Sequence, residues 1–134
     1  MVQSFRDLRV WQSGMELVVE VYALTRILPK SGTYGLSSQL QRAAVSGPAN
    51  IAEGHSRHHL REYLHFLSIA RGSLAEVQKY LDLVPRLDYA PSARTQPVLD
   101  LSASVSRQLV ALRDSLTTRL QEDSVPYDLI DPTP

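Results

Sequence analysis

Four stretches of this sequence place apolar residues three and four positions apart, and glycine- or proline-containing segments separate them. This spacing gives a helix one apolar face, which has to be covered by other helices. We expect helices over residues 7–28, 34–54, 60–87 and 96–121. Short links between four such helices predict an all-α fold, an antiparallel up-down four-helix bundle. At 134 residues and 43% apolar content the chain is long enough to bury one core.

The first predicted helix carries two apolar stripes. One contains Leu8, Trp11, Met15, Val18 and Tyr22, and the other contains Val10, Leu17, Val21, Leu24 and Leu28. A single neighbouring helix cannot cover both, so we expect burial on two sides and self-association of the chain. Asp7 is the expected N-cap, and Pro29 with Gly32 ends the helix.

The second helix contains Gly47 and Pro48 within its periodic pattern. Proline cannot donate a backbone hydrogen bond to Ala44, and its ring crowds the carbonyl of that residue. The pattern therefore predicts either one kinked helix, which we favour, or two segments with Ser46 or Gly47 as a new N-cap. We expect the disturbance to serve packing, with Gly54 as the C-cap.

The remaining elements follow from capping residues and prolines. His59 is the expected N-cap of the third helix, with Glu62 at the capping-box position. Residues 85–97 contain three prolines and predict a loop, after which Thr95 caps the fourth helix. Residues 123–134 are rich in proline and acid, so we expect a disordered or extended tail after a bundle of residues 1–122.

Composition narrows the classes of function. The chain has no cysteine, which excludes disulfides, thiolate metal sites and cysteine nucleophiles. No apolar run approaches the roughly 20 residues of a membrane helix, and no signal peptide is evident, so we expect a cytoplasmic protein with no membrane partner. Net charge is zero overall, but residues 1–121 hold 14 basic against 10 acidic residues.

Catalytic and metal-binding patterns are incomplete. A di-iron bundle needs two Glu-x-x-His pairs, and the chain offers one, Glu62 with His65. A zinc site from His58, Glu62 and His65 has helical spacing, but His58 would lie before the helix begins. Neither a nucleophile elbow nor a glycine-rich phosphate loop is present. The sequence therefore predicts no enzyme, no metal and no cofactor.

Arginines and histidines gather around the start of the third helix. The candidate nucleic-acid-binding residues are Arg42, Arg57, His58, Arg61, His65 and Arg71. Guanidinium groups suit phosphates, histidines become charged near or below pH 6.5, and a helix N-terminus attracts anions. The alternative is a solvated helix junction without a ligand.

Three stretches identify a family resemblance: "FRDLRVWQSGMELVVEVYALTRILP", "YGLSSQLQRAAVSGPANIAEG" and "EYLHFLSIARGSLAEVQKYL". At this spacing they resemble the bacterial four-helix-bundle proteins encoded in intervening sequences of large-subunit ribosomal RNA genes. The resemblance covers about residues 5–90. It implies an antiparallel bundle that forms a ring, commonly a homopentamer, with family function mostly unassigned.

Some proteins of this family are accessory proteins of diversity-generating retroelements, in which a basic pentamer is thought to engage a reverse transcriptase and nucleic acid. The present chain differs in three ways. His59 replaces a usual serine or threonine, "LDY" replaces a usual "LGY" after the third helix, and the body is only mildly basic.

Two hypotheses follow for function. The first is a non-enzymatic homo-oligomeric scaffold, with a pentamer favoured, that binds RNA, DNA or a nucleoprotein through the basic residues. The alternative is a structural assembly module that binds another protein and has no role with nucleic acid.

Overall fold

The computed structural model describes residues 4–30 and 35–130, with the backbone alone over 123–130. A short 3-10 helix, Phe5–Asp7, precedes four α-helices: α1 (Arg9–Thr25), α2 (Leu36–His55), α3 (Leu60–Arg86) and α4 (Ser92–Ile130). No strand occurs in the described ranges. The predicted all-α four-helix bundle is confirmed. None of the described helices is long and apolar enough to cross a bilayer.

Side-chain contacts show that sequential helices run antiparallel. Hydrogen bonds join Thr25 to Gln41 (2.9 Å), Ser46 to Ser73 (2.7 Å), Gln78 to Ser102 (3.4 Å) and Ser13 to Gln108 (3.2 Å). As α1 runs from Gly14 to Thr25, its neighbours on α2 run backwards from Pro48 to Gln41. Likewise, Ser46 and then Gly54 on α2 lie beside Ser73 and then Tyr63 on α3. The last bond closes the bundle by packing α4 against α1. The division of the chain at residue 122 stays a prediction.

Only one of the two apolar stripes on α1 is buried in the core of the bundle. Val10, Leu17, Val21, Leu24 and Leu28 are all buried and join the fully buried Leu40, Leu67, Leu81 and Leu109 from the other helices. Each such side chain contributes about 1.5–3 kcal/mol relative to exposure. The other stripe is half-buried or exposed, so the bundle covers α1 on one side.

Asp7 was expected to cap α1, and it does not. Ser4 caps the 3-10 helix instead, and its backbone N–H donates to Asp7 Oδ2 at 3.3 Å in a capping box. Leu8 then occupies the N-cap position of α1 without a side-chain capping bond. Because the 3-10 helix precedes it, α1 begins at Arg9, two residues after the predicted start at residue 7. Gly32 lies outside the described residues.

Helix α2 passes through Pro48 as one continuous element. The two-segment alternative and the predicted break are therefore wrong, whereas the bend stays a prediction. The Pro48 ring is buried against α1, 3.5 Å from where a Cβ on Gly14 would lie. Asn50 Nδ2 donates to the carbonyl (2.8 Å) and hydroxyl (3.0 Å) oxygens of Ser46, in the turn that contains the proline.

Gly54 lies inside the last turn of α2, not at its cap. The C-cap is Ser56, whose hydroxyl donates to the carbonyl of Glu53 at 2.7 Å. A Cβ on Gly54 would lie 2.9 Å from both Phe66 Cβ and Tyr63 Cδ1. Real Cβ atoms do not approach so closely, so Gly54 permits the close contact of α2 with α3.

The link from α3 to α4 is shorter than the predicted loop. Pro85 lies within α3, and α4 begins at Ser92. Thr95 is not the cap: it is buried in the first turn and its hydroxyl donates to the Ser92 carbonyl at 3.1 Å. The first turn of a helix has no internal partners for its N–H groups, so Pro91 just before that turn costs little.

Asp88 turns the chain after α3 with a positive φ of 57°. The N–H of Tyr89 donates to the Val84 carbonyl (3.0 Å) and that of Asp88 to the Pro85 carbonyl (3.1 Å). These are the two bonds of a Schellman motif, which favours glycine at the left-handed position. The aspartate of "LDY" therefore stands where glycine has the lower backbone cost.

Candidate functional site

The short turn between α2 and α3 brings part of the predicted basic cluster together. Arg57 lies in this turn and forms an ion pair with Glu53, 2.6 Å from Nη2 to Oε1. Its guanidinium also stacks over the Phe66 ring at 4.7 Å, a cation–π contact. Arg57 is thus held in place, and part of its charge is balanced by the carboxylate.

Arg61 and His58 remain available on the same end of the bundle. Both are exposed, and neither makes an ion pair or hydrogen bond within the described part of the chain. His59 is the N-cap of α3, as predicted, but its side chain makes no capping bond. These three side chains follow Arg57 within four residues, so they share one end of the bundle.

Aromatic contacts position two further histidines. His65, one turn after Arg61 on the outer face of α3, lies edge-on to Phe66 with ring centroids 5.6 Å apart. His55, in the last turn of α2, contacts the Tyr63 ring at 5.8 Å. Phe66 therefore supports both Arg57 and His65. The site thus combines Arg57 and His65 at the Phe66 ring with Arg61 and the other histidines of the same turn.

Arg42 and Arg71 lie elsewhere. Arg71 is ten residues beyond Arg61 on α3, which is about 15 Å along the helix and about 80° around it. Arg42 lies thirteen residues before the end of α2 at His55, which is about 20 Å along that helix. Both are exposed, but neither joins the cluster at the turn between α2 and α3.

The structure does not assemble the considered zinc site. Among the described residues, no group of three or more histidine, aspartate or glutamate side chains is placed to hold a metal ion. His58, Glu62 and His65 belong to this searched set. The helical spacing of Glu62 and His65 therefore has no third partner near enough to complete a metal site.

A second candidate surface lies along α1 and α2. It was not predicted as a site from the sequence, although the second apolar stripe on α1 indicated that this helix has a further contact. An apolar groove of about 200 Å³ runs between α1 and α2 and is lined by Trp11, Met15, Val18, Val45, Pro48, Ala49 and Ala52. Farther along, the same two helices form a concavity of about 570 Å³ lined by Tyr22, Ser38, Gln41, Arg42, Val45 and Ser46. Val45 borders both, so the two lie next to each other along α1 and α2. We call them together the α1/α2 groove.

The other side of α1 carries a groove of different character. It has a volume of about 410 Å³ and is lined by Gln12, Met15, Glu16, Val19, Glu20 and Leu101. We call it the α1/α4 groove. Since Met15 lines both grooves, the exposed side of α1 forms one apolar ridge between them. Pro48 lines this surface from α2, whereas a Cβ on the buried Gly47 would meet no heavy atom within 4 Å. Gly54 permits the close packing of α2 and α3 beside the turn that carries Arg57.

Comparison with known proteins supports this fold. Residues 6–111 match the sequence model of the 23S rRNA-intervening sequence protein family. A crystal structure from Bacteroides thetaiotaomicron, of a protein with unknown function from the S23 ribosomal protein family, is similar with a TM-score of 0.71. The two sequences are 22% identical, and the alignment covers 78% of this chain and 97% of that chain. A search of curated proteins found no match. Because the family match covers most of the sequence, this chain belongs to the 23S rRNA-intervening sequence protein family.

Proposed function

We propose that this protein is a non-enzymatic homo-oligomeric scaffold, with five copies favoured, that contacts nucleic acid through the ends of its subunits. The observation that carries the proposal is the apolar ridge of α1. On this ridge Met15 and Tyr22 are each 41% exposed and Val19 is 65% exposed, and Val45 on the neighbouring α2 is 43% exposed. Scattered apolar residues are normal on a surface, but contiguous ones beside a groove mark an interaction site.

Assembly would bring the basic clusters of several subunits together on one surface. Each subunit offers Arg61, with Arg57 and the neighbouring histidines, at the turn between α2 and α3. One or two phosphate contacts from a single copy bind weakly, whereas a ring presents several of them together. Arginine contacts to phosphates release counterions, so the affinity of such a ring should fall steeply with salt.

The nucleic-acid contact is tested by replacing both Arg57 and Arg61 with alanine. The double variant should keep its helicity and oligomeric state and should lose retention of labelled RNA and DNA about equally across sequences. The slope of log affinity against log salt should decrease by about one for each phosphate that the arginines no longer neutralise. The matched control is Arg86→Ala with Arg94→Ala, which removes two arginines near the link between α3 and α4. Equally weakened binding in the two double variants would contradict the assignment of the cluster.

A second function is favoured by the ion pair between Arg57 and Glu53. Because this pair balances one of the two arginines, the end of the bundle also suits a protein partner. An oligomeric wild-type protein that retains no labelled RNA or DNA at low salt would refute the nucleic-acid role. That result would favour a structural module that binds another protein.

A further inference from the structure

We propose that the α1/α2 groove is covered by a second copy of this chain. The surface of the second copy that makes this contact is the one that contains its α1/α4 groove. Glu20 of one copy would then pair with Arg42 of the next. This inference rests on the proposed assembly and specifies its interface. Two different surfaces meet in such a contact, so an open chain of copies keeps one free surface of each kind at its two ends until the ring closes.

The two grooves carry opposite charges beside apolar residues. Arg42 lies in the α1/α2 groove, and none of the described residues that line that groove is acidic. Glu16 and Glu20 lie in the α1/α4 groove, whose described lining contains no basic residue, and Glu20 also borders a neighbouring concavity that contains Arg94. Arg42 makes no ion pair within the described part of the chain. Complementary charge of this kind selects the partner surface and sets its register.

The register of α1 and α2 places the residues that would pair between copies at similar heights along the helix axes. Thr25 lies beside Gln41, and Gly14 lies beside Pro48. Antiparallel pairing therefore places Val45 about level with Val19. Arg42 lies about level with Tyr22, about 3 Å from Glu20 along the helix, which is within the reach of an arginine side chain.

A rotation about an axis parallel to the helices does not shift a copy along that axis. Residues at the same height in one copy are therefore at the same height in its neighbour. One copy then places Val19 and Glu20 opposite Val45 and Arg42 of its neighbour. Because both grooves border α1, this helix would lie nearest the axis. The arrangement covers the ridge of α1 that the monomer leaves exposed, and it leaves the turn between α2 and α3 free at the end of the ring.

Engineered cysteines test the pairing of the two grooves, since the natural chain contains no cysteine. The variants are Val19→Cys, Val45→Cys and the combination of both, each treated with a short bis-maleimide. A chain with one cysteine can form at most a covalent dimer. The combined variant should give a ladder of covalent multimers up to the complete ring, and each single variant should stay monomeric on a denaturing gel.

Light scattering on the same samples separates this inference from the proposed function. A monomeric wild-type protein at micromolar concentration would refute both. An oligomer whose combined variant forms no ladder would overturn the pairing of the grooves and leave assembly intact. Efficient dimers from Val45→Cys alone would also overturn it, because they would show that like surfaces meet.

Charge reversal tests the ion pair. Glu20→Arg and Arg42→Glu should each raise the concentration needed for half-assembly by about tenfold, since each brings two like charges together. The combined variant should recover most of the wild-type assembly. Glu76→Arg on α3 is the control, because this residue lines neither groove. Failure of the combined variant to recover, with helicity unchanged, would refute the pairing of Glu20 with Arg42.

Discussion

Replacing Gly54 with alanine should force α2 and α3 apart where the turn that carries Arg57 begins. The added Cβ would lie 2.9 Å from Phe66 Cβ, 2.9 Å from Tyr63 Cδ1 and 3.2 Å from the Tyr63 carbonyl oxygen. None of these atoms is the far end of a flexible side chain. The helices themselves therefore have to move, and overpacking of this kind costs about 1–3 kcal/mol.

Gly72 provides the matched control for this variant. It is an exposed glycine inside α3, and an added Cβ would meet no heavy atom within 4 Å. Alanine at an unhindered position inside a helix stabilises it by about 1 kcal/mol relative to glycine. Gly72→Ala should therefore stabilise the protein by about that amount, and Gly54→Ala should fall below it by about 1–3 kcal/mol.

Denaturant unfolding followed by far-ultraviolet circular dichroism measures this difference. All variants have to be compared at one protein concentration, because the proposed assembly would add to the apparent stability. If Gly54→Ala stabilised the protein as much as Gly72→Ala does, the close approach of α2 and α3 would not be the reason for glycine at position 54.

Two further predictions concern the end of α3 and a buried tyrosine. Asp88→Gly should stabilise the protein by about 1 kcal/mol, because it relieves a left-handed residue at φ 57°; an unchanged denaturation midpoint would contradict this. The Tyr63 hydroxyl is buried without a hydrogen-bond partner among the described residues, so Tyr63→Phe should preserve or raise stability at pH 7. Burial raises the pKa of Tyr63 from 10.0 to about 12, so ionisation favours the unfolded state as pH rises between these values. The wild-type protein should lose stability there by up to about 2–3 kcal/mol, and a Tyr63→Phe variant with the same alkaline loss would refute this cause.

The positions of the helices were largely readable from the sequence. Apolar spacing predicted all four, and the ends of α2 and α3 were correct within two residues. Errors came from residues with more than one local role. Asp7 and Thr95 are both residue types that favour an N-cap, but each lies in the turn after the cap. Asp7 completes the capping box of Ser4, and Thr95 lies inside the first turn of α4.

The candidate site was predictable in composition but not in arrangement. The sequence indicated arginines and histidines at the start of α3. It did not indicate that Glu53 pairs with Arg57, or that Arg42 and Arg71 lie apart from the turn. Helical distance separates these arginines, and the choice of ion-pair partner depends on side-chain positions that spacing alone does not give.

By itself, the sequence determined that this chain forms amphipathic helices and that α1 has more apolar surface than one neighbour can cover. Only the tertiary structure decided which stripe of α1 faces the core, and therefore which stripe stays half-buried or exposed. Periodicity reports that a face avoids water, because apolar side chains recur at the helical repeat. It carries no information on what covers that face, since this depends on the packing of helices distant in sequence.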